Sequence, residues 1–219
     1  MTLWHVTWFT AATAVGATAL VLPFGIATAW VLARRSFPGK TLLETAVSLP
    51  LVVPPVATGL LLLKLVGPRG PAGRALEALG IEVIFTWKAV VLAMAVMGFP
   101  LLVRTVTAGF EQIDRRYEQI AATLGASPLR VFMTISLPLA SRAILAGAML
   151  ALARALGEFG ATIMVAGSIP GRTQTIPVAI FTFTETGRDG DAVRLMLVSI
   201  ALAFAALLTA NRLTRAANS

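Results

Sequence analysis

The sequence contains no cysteine and only one histidine, and few of its residues carry a charge. Without cysteine the chain can form neither a disulfide nor a thiolate site. The one histidine, His5, is expected to be solvated, and no group of residues has the spacing of metal ligands. The phosphate-binding pattern of Gly, four residues, Gly-Lys and then Ser or Thr does not occur. We therefore expect a protein that is not an enzyme and that binds no metal or nucleotide itself.

Hydrophobic residues dominate the composition. They make up 57% of the chain, charged residues make up 13%, and the mean hydropathy is +0.84. Soluble domains are roughly 45–50% apolar and about 25% charged, so an integral membrane protein is indicated. The net charge is +8, but the basic residues are not gathered in one stripe, which argues against a nucleic-acid partner. The length suits a single transmembrane domain over residues 1–219.

Five apolar runs are long enough to cross a bilayer, which takes about 20 residues. They cover residues 8–33, 43–66, 87–106, 139–167 and 193–211. Pro54 and Pro55 lie inside the second run, where two missing N–H donors predict a kink or a local break. Short helices are predicted around residues 75–84 and 177–184, outside the spans. The predicted fold is therefore all-α, with about five transmembrane helices.

The distribution of basic residues predicts the orientation of these spans. Arg34, Arg35 and Lys40 follow the first span directly, and Arg212 and Arg215 follow the last. Because basic residues concentrate on the cytoplasmic side, we expect the N-terminus outside and the C-terminus inside. No internal repeat is evident, which disfavours a secondary transporter built from inverted repeats.

The longest polar segment, residues 111–138, joins the third and fourth spans and is called the 111–138 loop below. Gly125 is placed to end one short helix in a left-handed conformation. Ser127 and Pro128 are typical of the N-cap and first position of a second helix. The segment is either an ordinary helical hairpin or a docking surface for a partner. The residues that would form the docking surface are Glu118, Gln119, Ala121, Ala122, Gly125, Ala126, Ser127, Pro128, Leu129 and Phe132.

The fourth span carries an acid and a base among small residues. Gly147, Ala151, Arg154 and Glu158 are spaced four, three and four apart, so we expect them on one helical face. Arg154 and Glu158 can then partly neutralise each other inside the membrane. Two readings stay open, a structural ion pair and a pair that lines or gates a polar pathway. The candidate pathway residues are Arg154, Gly157, Glu158, Gly160 and Thr162.

Two groups of residues carry a family resemblance. Gln119, Gly125 and the Leu137–Pro138 pair resemble the EAA loop of ABC-importer permeases. The Glu-Ala-Ala triplet falls on residues 119–121, where only Ala121 matches, and Glu118 stands one position early. The segments at residues 154–161 (RALGEFGA) and 169–177 (IPGRTQTIP) look like the molybdate-type branch in particular.

This resemblance implies a type I ABC-importer permease in the bacterial cytoplasmic membrane. It implies a homodimer whose 111–138 loops are coupling loops docked on a cytoplasmic ABC ATPase, which would bind ATP and Mg. An extracytoplasmic oxyanion-binding protein would deliver molybdate or a similar tetrahedral oxyanion, for which Arg154, Thr162 and Ser168 offer donors. Tungstate and sulfate or thiosulfate remain alternatives, as do a stand-alone ion-coupled transporter that uses Glu158 and a purely structural scaffold.

Overall fold

The computed structural model describes residues 3–215, without the side chains of residues 210 and 213–215, so the side chain of Arg215 lies outside the described part. All regular elements within residues 3–215 are helical. In chain order they are α1 (Leu3–Arg34), α2 (Lys40–Val52), α3 (Pro55–Val66), α4 (Pro71–Ala78), α5 (Trp87–Gln112), α6 (Arg115–Thr123), α7 (Pro128–Val131), a π-helical turn (Phe132–Ser136), α8 (Leu137–Leu139), α9 (Ser141–Leu156), α10 (Gly160–Ala166), α11 (Ile176–Glu185) and α12 (Asp189–Arg215).

Three of these helices, α1, α5 and α12, are long and apolar enough to cross a membrane singly. Two further candidates are bent pairs: α2 with α3 at 114°, and residues 128–139 with α9 at 69°. If each bent pair is one span, the described residues hold up to five, and the predicted number of about five stays a prediction. The break between α2 and α3 falls at Pro54 and Pro55, as the two missing N–H donors predict.

Several helix ends differ from the predicted bounds. The third span was predicted to end at residue 106. Helix α5 continues for six more residues, through polar turns, and ends at Gln112. The helix predicted at residues 75–84 forms earlier, at Pro71–Ala78, since Pro71 occupies its first turn and Gly80 follows with a φ of +70°. The short helix predicted at residues 177–184 is confirmed as α11.

The prediction of one continuous fourth span, residues 139–167, is wrong. Helix α9 ends at Leu156, and α10 begins at Gly160 after a three-residue break. Glycine at position 157 lowers the helix propensity, and the carboxylate of Glu158 accepts a hydrogen bond from the Ala161 N–H at 2.7 Å, which starts the new helix. Glu158 therefore does not continue the helical face of Gly147, Ala151 and Arg154.

The core lies where α5 packs between α1 and α9. A Cβ on Gly98 of α5 would lie 3.1 Å from the Ala151 carbonyl oxygen of α9, and a Cβ on Gly147 would lie 3.2 Å from the Leu102 oxygen of α5. The small residues of α9 do permit close helix approach, as predicted. That approach is made within the protomer, so this face is not free to meet a second copy.

Candidate functional site

The 111–138 loop is a pair of short helices joined by a tight turn. Asp114 starts α6 by accepting the Arg116 N–H at 2.9 Å. At its end the N–H of Ala126 donates to the carbonyl of Ala121, and Gly125 donates to Ala122, both at 3.0 Å. These two bonds define a Schellman motif, and the φ of +83° at Gly125 confirms the predicted left-handed end.

The second half of the loop begins as predicted and continues differently. The Ser127 hydroxyl accepts the Arg130 N–H at 3.4 Å, and Pro128 takes the first position of α7. The chain then widens into a π-helical turn, where Leu137 donates to the carbonyl of Phe132, five residues back. Because Pro138 has no N–H, regular α-helical bonding cannot continue through this point. The sequence did not predict this π-helical turn.

Several large apolar side chains of the loop are exposed. Leu124 is 83% exposed and Leu129 68%, and Tyr117 and Ile120 are also exposed. Beside them lies a groove of about 500 Å³, lined by Tyr117, Ile120, Ala121, Leu124, Ile135 and Leu139. Grouped apolar side chains on an otherwise polar surface typically mark a protein contact.

The inner face of the loop is fastened to the end of α1. Glu118 Oε1 accepts hydrogen bonds from Arg34 Nε at 3.0 Å and from Ser136 Oγ at 2.7 Å. Arg34 also donates to the carbonyl of Ile113 at 3.2 Å, and the Phe132 ring packs edge-on against Trp30, with centroids 5.5 Å apart. The loop and α1 are therefore connected by both charge and packing.

The structure divides the predicted docking residues between these two faces. Glu118 and Phe132 are half-buried on the inner side, whereas Leu129 is exposed. Ala121 and Ala126 are half-buried. The exposed members of the predicted set are Gln119, Ala122, Gly125, Ser127, Pro128 and Leu129.

Arg154 and Glu158 form an ion pair across the break between α9 and α10. Arg154 Nη1 lies 2.7 Å from Glu158 Oε2, and Glu158 Oε1 holds the Ala161 N–H. The Glu158 side chain is 1% exposed and that of Arg154 25%. Both carboxylate oxygens thus have partners, and the positive charge of Arg154 is balanced at short range.

The other candidate pathway residues are mostly packed within the protomer. Gly160 faces Pro55 of α3, since a Cβ on Gly160 would lie 2.8 Å from the Cβ of Pro55. Thr162 is fully buried, and its Oγ1 has no hydrogen-bond partner among the described residues. Gly157 is exposed. Of the predicted set, therefore, only Gly157 and part of Arg154 reach the surface of the isolated chain.

Broken apolar helices and a loop with exposed apolar side chains are features expected of a transport permease. The chain belongs to the family of binding-protein-dependent transport system inner membrane components, whose model matches residues 21–216. It is 51% identical to the molybdenum transport system permease protein ModB of Escherichia coli over 196 residues, which are 89% of this chain and 86% of that protein. This confirms the predicted resemblance to the molybdate-type ABC permeases.

More distant relatives and solved structures agree with this family. The sulfate transport system permease protein CysW of Synechococcus elongatus is 41% identical over 72% of this chain and 55% of that protein. The MetNI methionine ABC transporter in an inward-facing conformation superposes with a TM-score of 0.74 at 14% identity, covering 98% of this chain and 95% of that chain. A bacterial alginate ABC transporter gives 0.71 at 17% identity, covering 96% and 77%. These two structures show the fold.

Proposed function

We propose that this chain is the membrane permease subunit of an importer that carries molybdate, or a similar tetrahedral oxyanion, across the bacterial cytoplasmic membrane. The similarity to ModB over 89% of the chain carries this proposal. Sulfate is the second candidate substrate, because a sulfate permease is 41% identical over a shorter stretch. Tungstate, which has the same shape and charge as molybdate, belongs to the same substrate class.

The proposed partners follow from the loop and from the solved relatives. A cytoplasmic ABC ATPase, which would bind the ATP and Mg, docks on the exposed apolar face around Leu124 and Leu129. An extracytoplasmic oxyanion-binding protein meets the other side of the membrane; the alginate transporter relative is a complex with its periplasmic protein. Two copies of this chain form the pathway between them, and the chain itself binds no cofactor.

In the proposed mechanism the loop passes movement of the ATPase to the spans. The Schellman turn at Gly125 and the N-cap at Ser127 hold α6 and α7 as one rigid unit. The contacts of Glu118 with Arg34 and of Phe132 with Trp30 make α1 follow that unit. The breaks within the α2–α3 and α9–α10 pairs lie at the positions where rigid helical segments can pivot.

Radiolabelled molybdate uptake tests the substrate assignment. The chain is reconstituted in liposomes with its ATPase and its binding protein, and uptake is measured with internal ATP. We expect ATP-dependent uptake of molybdate that unlabelled tungstate suppresses and that sulfate suppresses only in large excess. Sulfate competition as strong as that of molybdate itself would assign the chain to the sulfate carriers instead.

A further inference from the structure

A polar groove separates α2 from α5. Its volume is about 690 Å³. Within an otherwise apolar lining it contains two short polar stripes, one on each helix. The polar residues are Glu44, Thr45 and Ser48 of α2 and Arg104, Thr107 and Glu111 of α5, and together they are called the polar groove.

The polar groove lies toward the C-terminal end of α5. Residues three and four apart share a helical face, so Arg104, Thr107 and Glu111 form one stripe along α5. Arg104 follows Trp87 by 17 residues in the same helix, which is about 25 Å along the helix axis. If Trp87 lies at the outer interface, Arg104 is still within the hydrocarbon layer of about 30 Å. Charged side chains within a membrane typically face a bundle interior or a water-filled cavity, and the polar groove beside Arg104 is such a cavity.

Arg104 lacks the carboxylate partner that two other arginines of the long helices have. Arg34 and Arg154 each form an ion pair. Arg104 is exposed, and no carboxylate oxygen among the described residues lies within 4.0 Å of it. Its Nε donates to Ser48 Oγ at 3.1 Å, and neither Nη group has a hydrogen-bond partner in the part of the chain that the structure describes. Ser48 thus orients the guanidinium while its outer edge stays available.

We propose that Arg104, oriented by Ser48, contacts the oxyanion in the inner half of the translocation pathway. This inference rests on the proposed function. A guanidinium held through Nε presents two parallel Nη donors, which match two oxygens of a tetrahedral anion. Arg154, the cation that the sequence suggested, is neutralised by Glu158 and lacks this free edge.

The carboxylates of the polar groove set the strength of this contact. Glu44 is paired with Lys40 at 3.7 Å, so its charge is largely balanced. Glu111 lies two turns beyond Arg104 on the same face, about 10 Å toward the inner end of α5. Its negative charge opposes tight binding of an anion. The site therefore holds the oxyanion only briefly, as release into the cytoplasm requires.

Uptake by variants of the complete complex tests the role of Arg104. We expect Arg104→Gln to lower molybdate uptake about tenfold or more, because a charge-assisted hydrogen-bonded contact is lost, while the ATPase activity remains. Arg104→Lys keeps the charge without the fork and should restore part of the uptake. The matched control is Arg74→Gln, at an exposed arginine of α4 outside the groove. If the wild-type complex takes up molybdate and the Arg104→Gln variant takes it up equally well, the role of Arg104 is overturned and the proposed function is not. If the wild-type complex takes up no oxyanion, the proposed function is overturned.

Cysteine labelling gives a readout that a merely structural role would not change. Because the chain has no cysteine, Thr45→Cys in the groove can be compared with Thr184→Cys, another exposed threonine whose hydroxyl also bonds to the carbonyl four residues back. In nanodiscs with the ATPase, the ratio of labelling by an anionic thiosulfonate reagent to labelling by a cationic one should be about tenfold higher at position 45 than at position 184. Arg104→Gln should remove that preference, molybdate should slow the labelling, and position 184 should show neither effect. No charge preference, or no labelling at position 45, would refute an open anion site.

Discussion

Glu118 connects the 111–138 loop to the rest of the chain through one carboxylate oxygen. That oxygen accepts from both Arg34 and Ser136. The Arg34 side chain is only 6% exposed, so loss of the carboxylate would leave a cation with little access to water. The sequence predicts Glu118 as a contact for a partner, whereas in the structure it faces Arg34 and Ser136.

We expect Glu118→Gln to destabilise the purified complex by about 1–3 kcal/mol, because the Arg34 guanidinium loses its charged acceptor. Uptake should fall more than ATP hydrolysis, since α1 would no longer follow the loop. Thermal unfolding and uptake assays on the same preparation measure the two effects. Gln119→Ala, at the exposed neighbouring position, is the matched control; equal effects of both substitutions would contradict the tie to α1.

The ion pair of Arg154 and Glu158 admits both a structural and a pathway role, and a double substitution separates them. Glu158→Gln alone should be strongly destabilising, by about 3–5 kcal/mol, because Arg154 is left without its buried partner. Adding Arg154→Gln should recover most of that stability, as measured by thermal unfolding. If the pair is only structural, the double variant transports like the wild type. Persistent loss of uptake in a stable double variant would instead support the pathway role.

At the scale of single residues, the sequence predicts where helices begin and end. It does not predict contacts between side chains that are far apart in the chain. Gly125 and Ser127 followed from the rules of helix ends, which depend on neighbours within a few positions. Arg104 is not among the candidate site residues that the sequence predicts. Its bond to Ser48 joins positions 56 apart in sequence, and no spacing rule reaches that far.

At the scale of helices, the packing of α10 against α3 is tight on both sides. Gly59 of α3 faces Ala161, and Gly160 of α10 faces Pro55. Only hydrogen fits at these two positions without movement of a neighbour. The broken half-helix α10 is therefore held in place by contacts that tolerate no added methyl group.

Gly160→Ala should lower the unfolding free energy by about 1–3 kcal/mol, the usual cost of overpacking. The added Cβ would lie 2.8 Å from Pro55 Cβ and 3.0 Å from the Val56 nitrogen. Gly157→Ala is the control from the same break, since its nearest neighbours are 4.0 Å away. Thermal unfolding of both variants in one detergent checks this, and comparable losses would mean that the α3 contact is unimportant.

Of the two helix breaks within the spans, one could be predicted from the sequence and the other could not. The break between α2 and α3 was predicted, because proline lacks the N–H that a helix needs. The break before α10 was wrongly read as continuous helix, since Arg154 and Glu158 also fit the spacing of one helical turn. Their ion pair forms across the break, and only the Ala161 N–H bond to Glu158 reveals that a new helix starts there.

At the scale of the whole molecule, composition and hydropathy predicted an all-helical membrane domain, and family membership confirms a transport permease. The orientation remains a prediction. Because the chain has no cysteine, Ser127→Cys places one thiol on the 111–138 loop. In intact cells a membrane-impermeant maleimide should leave it unlabelled, and it should react after permeabilisation. Labelling from outside would reverse the orientation.

The central claim is that this chain supplies the pathway while a separate ATPase supplies the energy. The most direct measurement is accumulation of radiolabelled molybdate in liposomes that contain the complete complex, the complex with a substituted P-loop lysine in the ATPase, or this chain alone. We predict accumulation against a gradient only with the intact ATPase. Accumulation by this chain alone, driven by an ion gradient, would contradict the account.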